Sequence, residues 1–497
     1  MARITFGTGL DGDAWLEDFY NVDQLKLVSK SATKAVYRDG NGDQIVLTGS
    51  GLGYSGNFAT KGTVSVVQFV SGSGEKFLTI SDGAFKASAV FAEIKDKAFF
   101  DLLSVLTAGH DVIKGTDSGN DIIIGTNKGN DKIYGLGGDD FIKGSAGNDI
   151  IDGGAGWNTL AYTETFYHLD GVKSGIIVDV VAGKVKNSWG GTDTVKNIKG
   201  YEGTNLVDRF YGGKDDDSFM GLKGNDKLVG GKGADEARYH KDARFGATHG
   251  IVADLAKGKI EDGFGTVDTV ESIEHVIGTH SRDVFYGDGA DNQFRGLGGK
   301  DSFSGGGGTD TVSFDFWEDV KGQRGVVVDL RKTSGQIVND GYGNTENVKS
   351  IERIDGSHFD DRITLGSAKG GVWGGAGNDR LSAGSGENWL DGGDGNDRLV
   401  AGVGENWMRG GNGRDVFVFS NARDSMKGTT TRDFIDDFSR GQGDKIDLSA
   451  FDVSFKDVKT VVNDLGNTIV TVNVTGDIDL QFLISGKLAL TSADFLW

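Results

Sequence analysis

Large apolar residues in the centre of this chain stand alone rather than in runs. In Gly135–Asn158 (GLGGDDFIKGSAGNDIIDGGAGWN) and Gly374–Asp415 (GGAGNDRLSAGSGENWLDGGDGNDRLVAGVGENWMRGGNGRD), one in every unit follows an Asp or Asn by two positions, and glycine-rich turns fill the intervals. The pattern is G-G-x-G-x-D-x-U-x, with U a large apolar residue, and self-similarity at so short a period marks an array. Three residues of each unit run extended, with U pointing inward and its neighbours outward. The other six wrap tightly, because glycine enters backbone conformations closed to other residues. One nonapeptide is thus a half-coil, and residues eighteen apart stack.

The pattern changes outside the arrays. Period-two stretches at Gln24–Val28, Gln44–Leu47 and Thr63–Phe69 predict strands. Phe91–Leu106 places Ile94, Ala98, Leu102 and Leu106 on one face and predicts a helix. A longer period overlies the nonapeptides, since GIIVDV, GIVADL and GVVVDL begin at Gly175, Gly250 and Gly325. Each is followed by Asp193-Thr194-Val195, Asp268-Thr269-Val270 or the divergent Thr345-Glu346-Asn347-Val348, then by Asn197-Ile198, Ser272-Ile273 or Ser350-Ile351. Residues 159–366 therefore hold three copies of one module, each returning to the nonapeptides at Asp208, Asp283 or Asp361.

The aspartates carry the candidate chemistry. A carboxylate beside exposed turn carbonyls makes a shell of hard oxygen donors, which suits calcium. The positions are Asp111, Asp121, Asp131, Asp140 and Asp149; Asp208, Asp217, Asp226 and Asp235; Asp283, Asp301 and Asp310; and Asp361, Asp379, Asp397 and Asp415. Asn158, Asn292, Asn388 and Asn406 stand in register where Asp is expected, and Gly370 leaves one slot empty. A single such cluster would mark only an ordinary turn. Sixteen in register do not.

On these residues the chain resembles the RTX family, the hemolysin-type calcium-binding repeats. The resemblance implies an all-β fold, a right-handed parallel β-roll (an RTX solenoid) in several blocks, with calcium between successive turns and the sixteen aspartates as its ligands. Gly410–Asn421 (GGNGRDVFVFSN) and Asp433–Asp452 (DFIDDFSRGQGDKIDLSAFD) are similar to the C-terminal domain of serralysin-type proteases, over roughly the last ninety residues. That likeness implies a closing cap on the roll and an export signal, with the type I secretion apparatus as a partner. The end, LISGKLALTSADFLW, fits such a signal or a last strand with an apolar tip. The protease itself is not implied: no H-E-x-x-H occurs, and the seven histidines lack zinc-ligand spacing.

Bulk properties narrow the function. With no cysteine among 497 residues, neither disulfides nor thiol chemistry is available, and stability must come from metal. A formal charge of −21 argues against a nucleic-acid partner. Much of it sits at the predicted metal sites, where it repels itself until cations arrive. The chain is therefore expected to be largely unfolded without calcium. No apolar run is long enough to span a membrane, and the start, MARITFGTGLDGDAW, lacks the features of a cleavable signal peptide. Cytosolic calcium is too low for sites of modest affinity, so an extracellular or cell-surface location is expected.

Two further features bear on function. GYSGN at Gly53–Asn57 misses G-x-S-x-G, since Asn replaces the second Gly. Trp389 should stack above Trp407, and Arg362, Arg380 and Arg398 above one another on the opposite face. The indoles are expected to pack against the segment after residue 420; the other reading is stacking on sugar rings or on a protein.

The sequence thus predicts five parts: a β-rich N-terminal cap with one helix (1–108), a first calcium roll (109–158), the three modules (159–366), a last roll (367–420), and a C-terminal domain with the secretion signal (421–497). The function expected is that of an exported, non-enzymatic, calcium-binding surface, matrix or adhesion component, with extracellular polysaccharide or a second copy as candidate partner. A polysaccharide-modifying enzyme or its carrier module, and a membrane-active toxin, are the alternatives.

Overall fold

The computed structural model describes residues 3–6, 25–74, 76–96, 110–116, 122–124, 129–163, 172–316, 324–425, 432–474 and 479–497. They form two compact units, residues 1–237 with 267–273, and residues 238–266 with 274–497.

The first unit opens with an antiparallel sheet. Lys26–Lys30, Lys34–Arg38, Gln44–Ser55, Phe58–Val70 and Lys76–Ser81 pair in succession. The predicted strands Gln44–Leu47 and Thr63–Phe69 lie within longer ones that absorb register shifts around Gly49 and Gly53, while the strand expected at Gln24–Val28 is found two residues later, at Lys26–Lys30, with Gln24 outside the described residues. A helix, Ala87–Asp96, covers the sheet, with Phe91 edge-on to Tyr37 and Tyr54. It starts four residues before the expected Phe91, because Ala87 and Val90 share a buried face with Phe91 and Ile94. The expected continuation to Leu106 falls outside the described residues. Arg3–Phe6 pairs antiparallel with Lys76–Ser81 and parallel with Val112–Lys114, so this sheet runs directly into the roll.

In the roll, short parallel strands alternate between two walls. One wall of the first unit runs through Val112–Lys114, Lys132–Tyr134, Ile150–Asp152 and Thr192–Lys196. The other runs through Ile122–Ile124, Phe141–Lys143, Thr159–Ala161, Gly200–Glu202 and Ser218–Met220. The first module enters one wall only. Ile177–Asp179 and Lys184–Lys186 add two antiparallel strands beside Thr192–Lys196, after which Ile177–Asp179 pairs parallel with Arg209–Tyr211. The opposite wall continues from Thr159–Ala161 to Gly200–Glu202 without interruption.

The second unit repeats the device. Val252–Asp254 pairs antiparallel with Lys259–Glu261 and parallel with Val284–Tyr286. Val327–Asp329 does the same with Ile337–Asn339 and Arg362–Thr364. The last array then builds one wall from Arg362–Thr364, Arg380–Ser382, Arg398–Val400, Val416–Val418, Lys445–Asp447 and Phe495–Leu496. Its second wall runs from Arg353–Asp355 through Gly370–Trp373, Asn388–Asp394, Asn406–Asn412 and Phe434–Ile435 to Asp479–Ile484. The fold is an all-β parallel β-roll.

The apolar positions explain its core. Ile363, Leu381, Leu399, Phe417 and Ile446 stack in register from one wall, and Ile354, Val372, Leu390, Met408 and Ile435 from the other. All are buried. Each contributes roughly 1.5–3 kcal/mol of burial, but there is only one per nonapeptide. So thin a core leaves the glycine turns without apolar cover, and they need another source of cohesion.

Candidate metal centres

The turns are joined by a ladder of carboxylates. The main-chain N–H of Asp131 donates to Asp149 Oδ1, eighteen residues on, at 2.8 Å. The same bond recurs from Asp208 to Asp226, Asp217 to Asp235, Asp283 to Asp301, Asp361 to Asp379, Asp379 to Asp397 and Asp397 to Asp415, at 2.7–2.9 Å. Asp111 joins the first column through Asp131, twenty residues on. Asp140 donates to Asn158, and Asn292 donates to Asp310. Each described aspartate of the repeat is buried, none more than 4 % exposed. Asp121 lies outside the described residues.

One oxygen of Asp131, Asp149, Asp226, Asp235, Asp301, Asp310, Asp379, Asp397 and Asp415 accepts a ladder bond, and the use of the remaining oxygens divides the set. Asp208, Asp283 and Asp361 have both oxygens taken by donors. Thr204, Thr279 and Ser357, four residues earlier, each give an N–H and a hydroxyl, and the N–H of Ile176, Ile251 and Val326 completes the set. These three donors open the three modules, so each aspartate clamps a module strand to the roll. In Asp301, Asp310, Asp379, Asp397 and Asp415, by contrast, Oδ2 is buried with no hydrogen-bond donor among the described residues. A buried carboxylate oxygen left without a partner is costly and calls for a cation.

The surroundings of that oxygen fit calcium. A Cβ on Gly374 would collide with Asp379 Oδ2 and with the carbonyl of Gly392; one on Gly392 would meet Asp397 Oδ2 and the carbonyl of Gly410; one on Gly305 would meet Asp310 Oδ2 and the carbonyl of Ser350. The first glycine of each hexapeptide thus keeps open a cradle between a carboxylate and a carbonyl of the next coil. Among the described residues no three His, Cys, Asp or Glu side chains converge. The donor set is instead a carboxylate facing a main-chain carbonyl, both hard oxygens of the kind calcium accepts. When bound there, the ion supplies positive charge at the open oxygen and ties one coil to the next.

Six acids extend the ladder beyond the expected set. Asp149, Asp226 and Asp301 donate not to a nonapeptide but to Asp193, Asp268 and Glu346, 42–45 residues on. Asp310 donates to Glu352, Asp415 to Asp444, and Asn406 to Asp433, whose Oδ2 is also buried and open. All six begin an acid-x-apolar triplet (Asp193-Thr-Val, Asp268-Thr-Val, Glu346-Asn-Val, Glu352-Arg-Ile, Asp433-Phe-Ile, Asp444-Lys-Ile). That was the available signal. It lacks the G-G-x-G-x spacing before the acid, because at these points the chain returns from an excursion rather than from a nonapeptide turn. Asn197, Ser272 and Ser350 offer their carbonyls where a turn glycine would, and hold φ of 55°, 50° and 49° to do so.

Burial dominates the electrostatics. It pushes the carboxyls of Asp149, Asp208, Asp283 and Asp397 up to about 7, and Asp379 up to about 8, where the charges of Asp361 and Asp397 add to it. The ladder bonds pull the other way without cancelling the burial. Asp301 and Glu346 are both raised, first by burial and then by neighbouring carboxylates, each other's included for Asp301. A dication reverses this balance by favouring the ionised form.

The last array is asymmetric across its two edges. The aspartate column runs Asp361, Asp379, Asp397, Asp415, Asp444. On the other edge Asn388 Nδ2 donates to Asn406 Oδ1 at 3.2 Å, and Asn406 reaches Asp433, so amides stitch the coils together. Arg362, Arg380 and Arg398 stand in register, with Arg398 2.7 Å from Asp447. Trp389 and Trp407 also stand in register, and Trp407 packs edge-on to Phe434 at 5.2 Å while staying 49 % exposed. The segment after 420 thus supports this pair but does not cover it.

The remaining candidates are placed as follows. GYSGN forms a hairpin tip, with Ser55 paired to Phe58 and Gly56 at φ 64°. Near the end of the chain, Phe495–Leu496 is a strand beside Ile446–Asp447, Arg440 pairs with Asp494, and Trp497 stacks on Phe495.

Comparisons with known proteins agree with this geometry. The family model of the RTX calcium-binding nonapeptide repeat (4 copies) matches residues 125–160, 202–237 and 277–313. That of the peptidase M10 serralysin C terminal matches residues 306–482. The second match reaches well upstream of the last ninety residues, taking in the third module and the whole last array. No curated protein matches the chain. Among solved structures, the AlgE6R2 and AlgE6R3 subunits of the Azotobacter vinelandii mannuronan C5-epimerase are 24 % and 26 % identical. They cover 29 % and 28 % of this chain, with 92 % and 78 % of their own length aligned and TM-scores of 0.20 and 0.19. The extracellular lipase LipA of Serratia marcescens is 12 % identical over 95 % of this chain and 83 % of its own, with a TM-score of 0.17. The two family matches mark RTX calcium-binding repeats and a serralysin-type C-terminal region within this chain.

Proposed function

We propose that this chain, an RTX calcium-binding repeat protein with a serralysin-type C-terminal domain, is exported, folds on calcium outside the cell, and serves there as a surface, matrix or adhesion component rather than as an enzyme. The observation that carries the reading is the ladder itself, in which buried carboxylates with an open oxygen recur coil after coil. Such a column repels itself in a calcium-poor cytoplasm and closes in a calcium-rich exterior. The calcium ligands are Asp301, Asp310, Asp379, Asp397 and Asp415, together with Asp111, Asp121, Asp131, Asp140, Asp149, Asp217, Asp226 and Asp235 on the same repeat. Asp208, Asp283 and Asp361 share the motif, and we assign them the further duty of clamping each module to the roll.

The non-enzymatic reading is supported by how the acids are used, since they serve the ladder and its cradles. Export and location are tested by fractionating cells that express the chain with a type I secretion apparatus. The protein should be recovered in the medium or on the surface, released in part by chelator. Retention in the cytosol with calcium supplied outside would contradict the proposal, and steady release of unsaturated uronates from acidic polysaccharides would replace it with the enzyme reading.

A further inference from the structure

The outer face of the last array carries a groove of about 560 Å³ that the ladder does not explain. Arg353, Gly371, Trp389 and Trp407 occupy one row across four neighbouring strands, pointing away from the core. Gly371 keeps the floor low between the Arg353 side chain and the Trp389 indole, and Lys369 and Glu352 also line the groove.

This glycine is not required by the backbone. It has no positive φ, and a Cβ there would meet Trp389 and Arg353 only at 3.6–3.7 Å, ordinary van der Waals contact. The turn glycines Gly374 and Gly392, by contrast, admit no Cβ. What Gly371 provides is therefore space, beside an indole face.

We propose that this groove binds an anionic oligosaccharide, a chain of hexuronate-like rings. A pyranose presents a flat C–H face that stacks on indole, and two indoles a strand apart offer successive platforms about 4.8 Å apart. Arg353 and Lys369 line the groove beside Glu352, and the Arg353 guanidinium offers a carboxylated ring a charge partner that a neutral ring cannot use. Lys369 is held by Glu387 at 3.2 Å, while the Glu352 carboxylate already accepts the Asp310 N–H. The acid at the rim is thus engaged inward. A peptide fits poorly, because strand addition needs a sheet edge and this is a sheet face. The proposal rests on the surface-component reading and gives it a ligand class.

The test is calorimetric titration of the full chain, in millimolar calcium, with tetragalacturonate and with cellotetraose. Tetragalacturonate should bind and quench tryptophan emission, with cellotetraose about tenfold weaker. Gly371→Val and Arg353→Ala should each weaken the uronate about tenfold while leaving the β signal unchanged. Arg353 is exposed, so its variant folds even if the valine disturbs the sheet. Absence of uronate binding by the parent chain, equal binding of cellotetraose, or undiminished binding by Arg353→Ala overturns the proposal. Failure of calcium-dependent folding would appear in circular dichroism before any sugar is added, which separates the two claims.

Discussion

Asp193 accepts the main-chain N–H of Asp149 at 2.9 Å although 44 residues separate them. It also takes the Tyr162 hydroxyl at 2.6 Å and the Asn187 amide. One carboxylate thus closes the first calcium column against the strand that returns from the first module. Asp193→Ala should leave a buried hydroxyl and a buried N–H unsatisfied and cost about 3 kcal/mol. Denaturant unfolding of the calcium-loaded protein measures it, and a loss within error would show that the module closes by backbone pairing alone.

Two glycines three residues apart differ in what an added methyl group would meet. Gly374→Ala puts a methyl group against Asp379 Oδ2 and the Gly392 carbonyl, so it should remove one calcium and lower the melting temperature. Gly371→Ala meets only ordinary contacts and should change neither. Calcium counting by mass spectrometry under native conditions, with a thermal melt, distinguishes them.

Asp397→Asn tests charge without removing the ladder. The amide oxygen can still accept the Asp379 N–H, so the roll should fold at saturating calcium. The open Oδ2 is replaced by an NH2 group, which cannot ligate calcium, and half-saturation should move to about tenfold higher calcium. A calcium titration followed by tryptophan emission reads this directly.

The raised carboxyls fix the sign of the pH dependence in chelator. Their folded values near 7 to 8 exceed the unfolded value of about 3.9, so between those limits the folded state holds more protons. Stability of the calcium-free chain should therefore be greatest below about pH 4 to 5 and fall as pH rises toward 8. With calcium present the trend reverses, because protons compete for the same oxygens, and the calcium midpoint should rise on acidification. Circular dichroism across pH, with and without calcium, checks both signs.

Much of this was legible in the sequence for a physical reason. The eighteen-residue rule follows from two strands and two turns per coil, and it placed Trp389 beside Trp407 and Arg380 beside Arg398 as found. Asp193, Asp268 and Glu346 were visible as module landmarks, yet their place in the ladder was not. Only the folded chain reveals that an excursion of some 40 residues returns to the register of one missing turn. Nor could the motif separate Asp361, whose oxygens are filled by Ser357 and Val326, from Asp379, whose Oδ2 is open. That difference lies in a hydroxyl four residues upstream and in a strand from a distant module.

The central claim is that calcium closes the carboxylate ladder and so folds the roll. The most direct measurement is far-ultraviolet circular dichroism of the purified chain in chelator at neutral pH, then through a calcium titration into the millimolar range. The account predicts a largely unfolded spectrum that converts cooperatively to β-structure, with magnesium unable to substitute. A full β signal in chelator, unchanged by calcium, would contradict it.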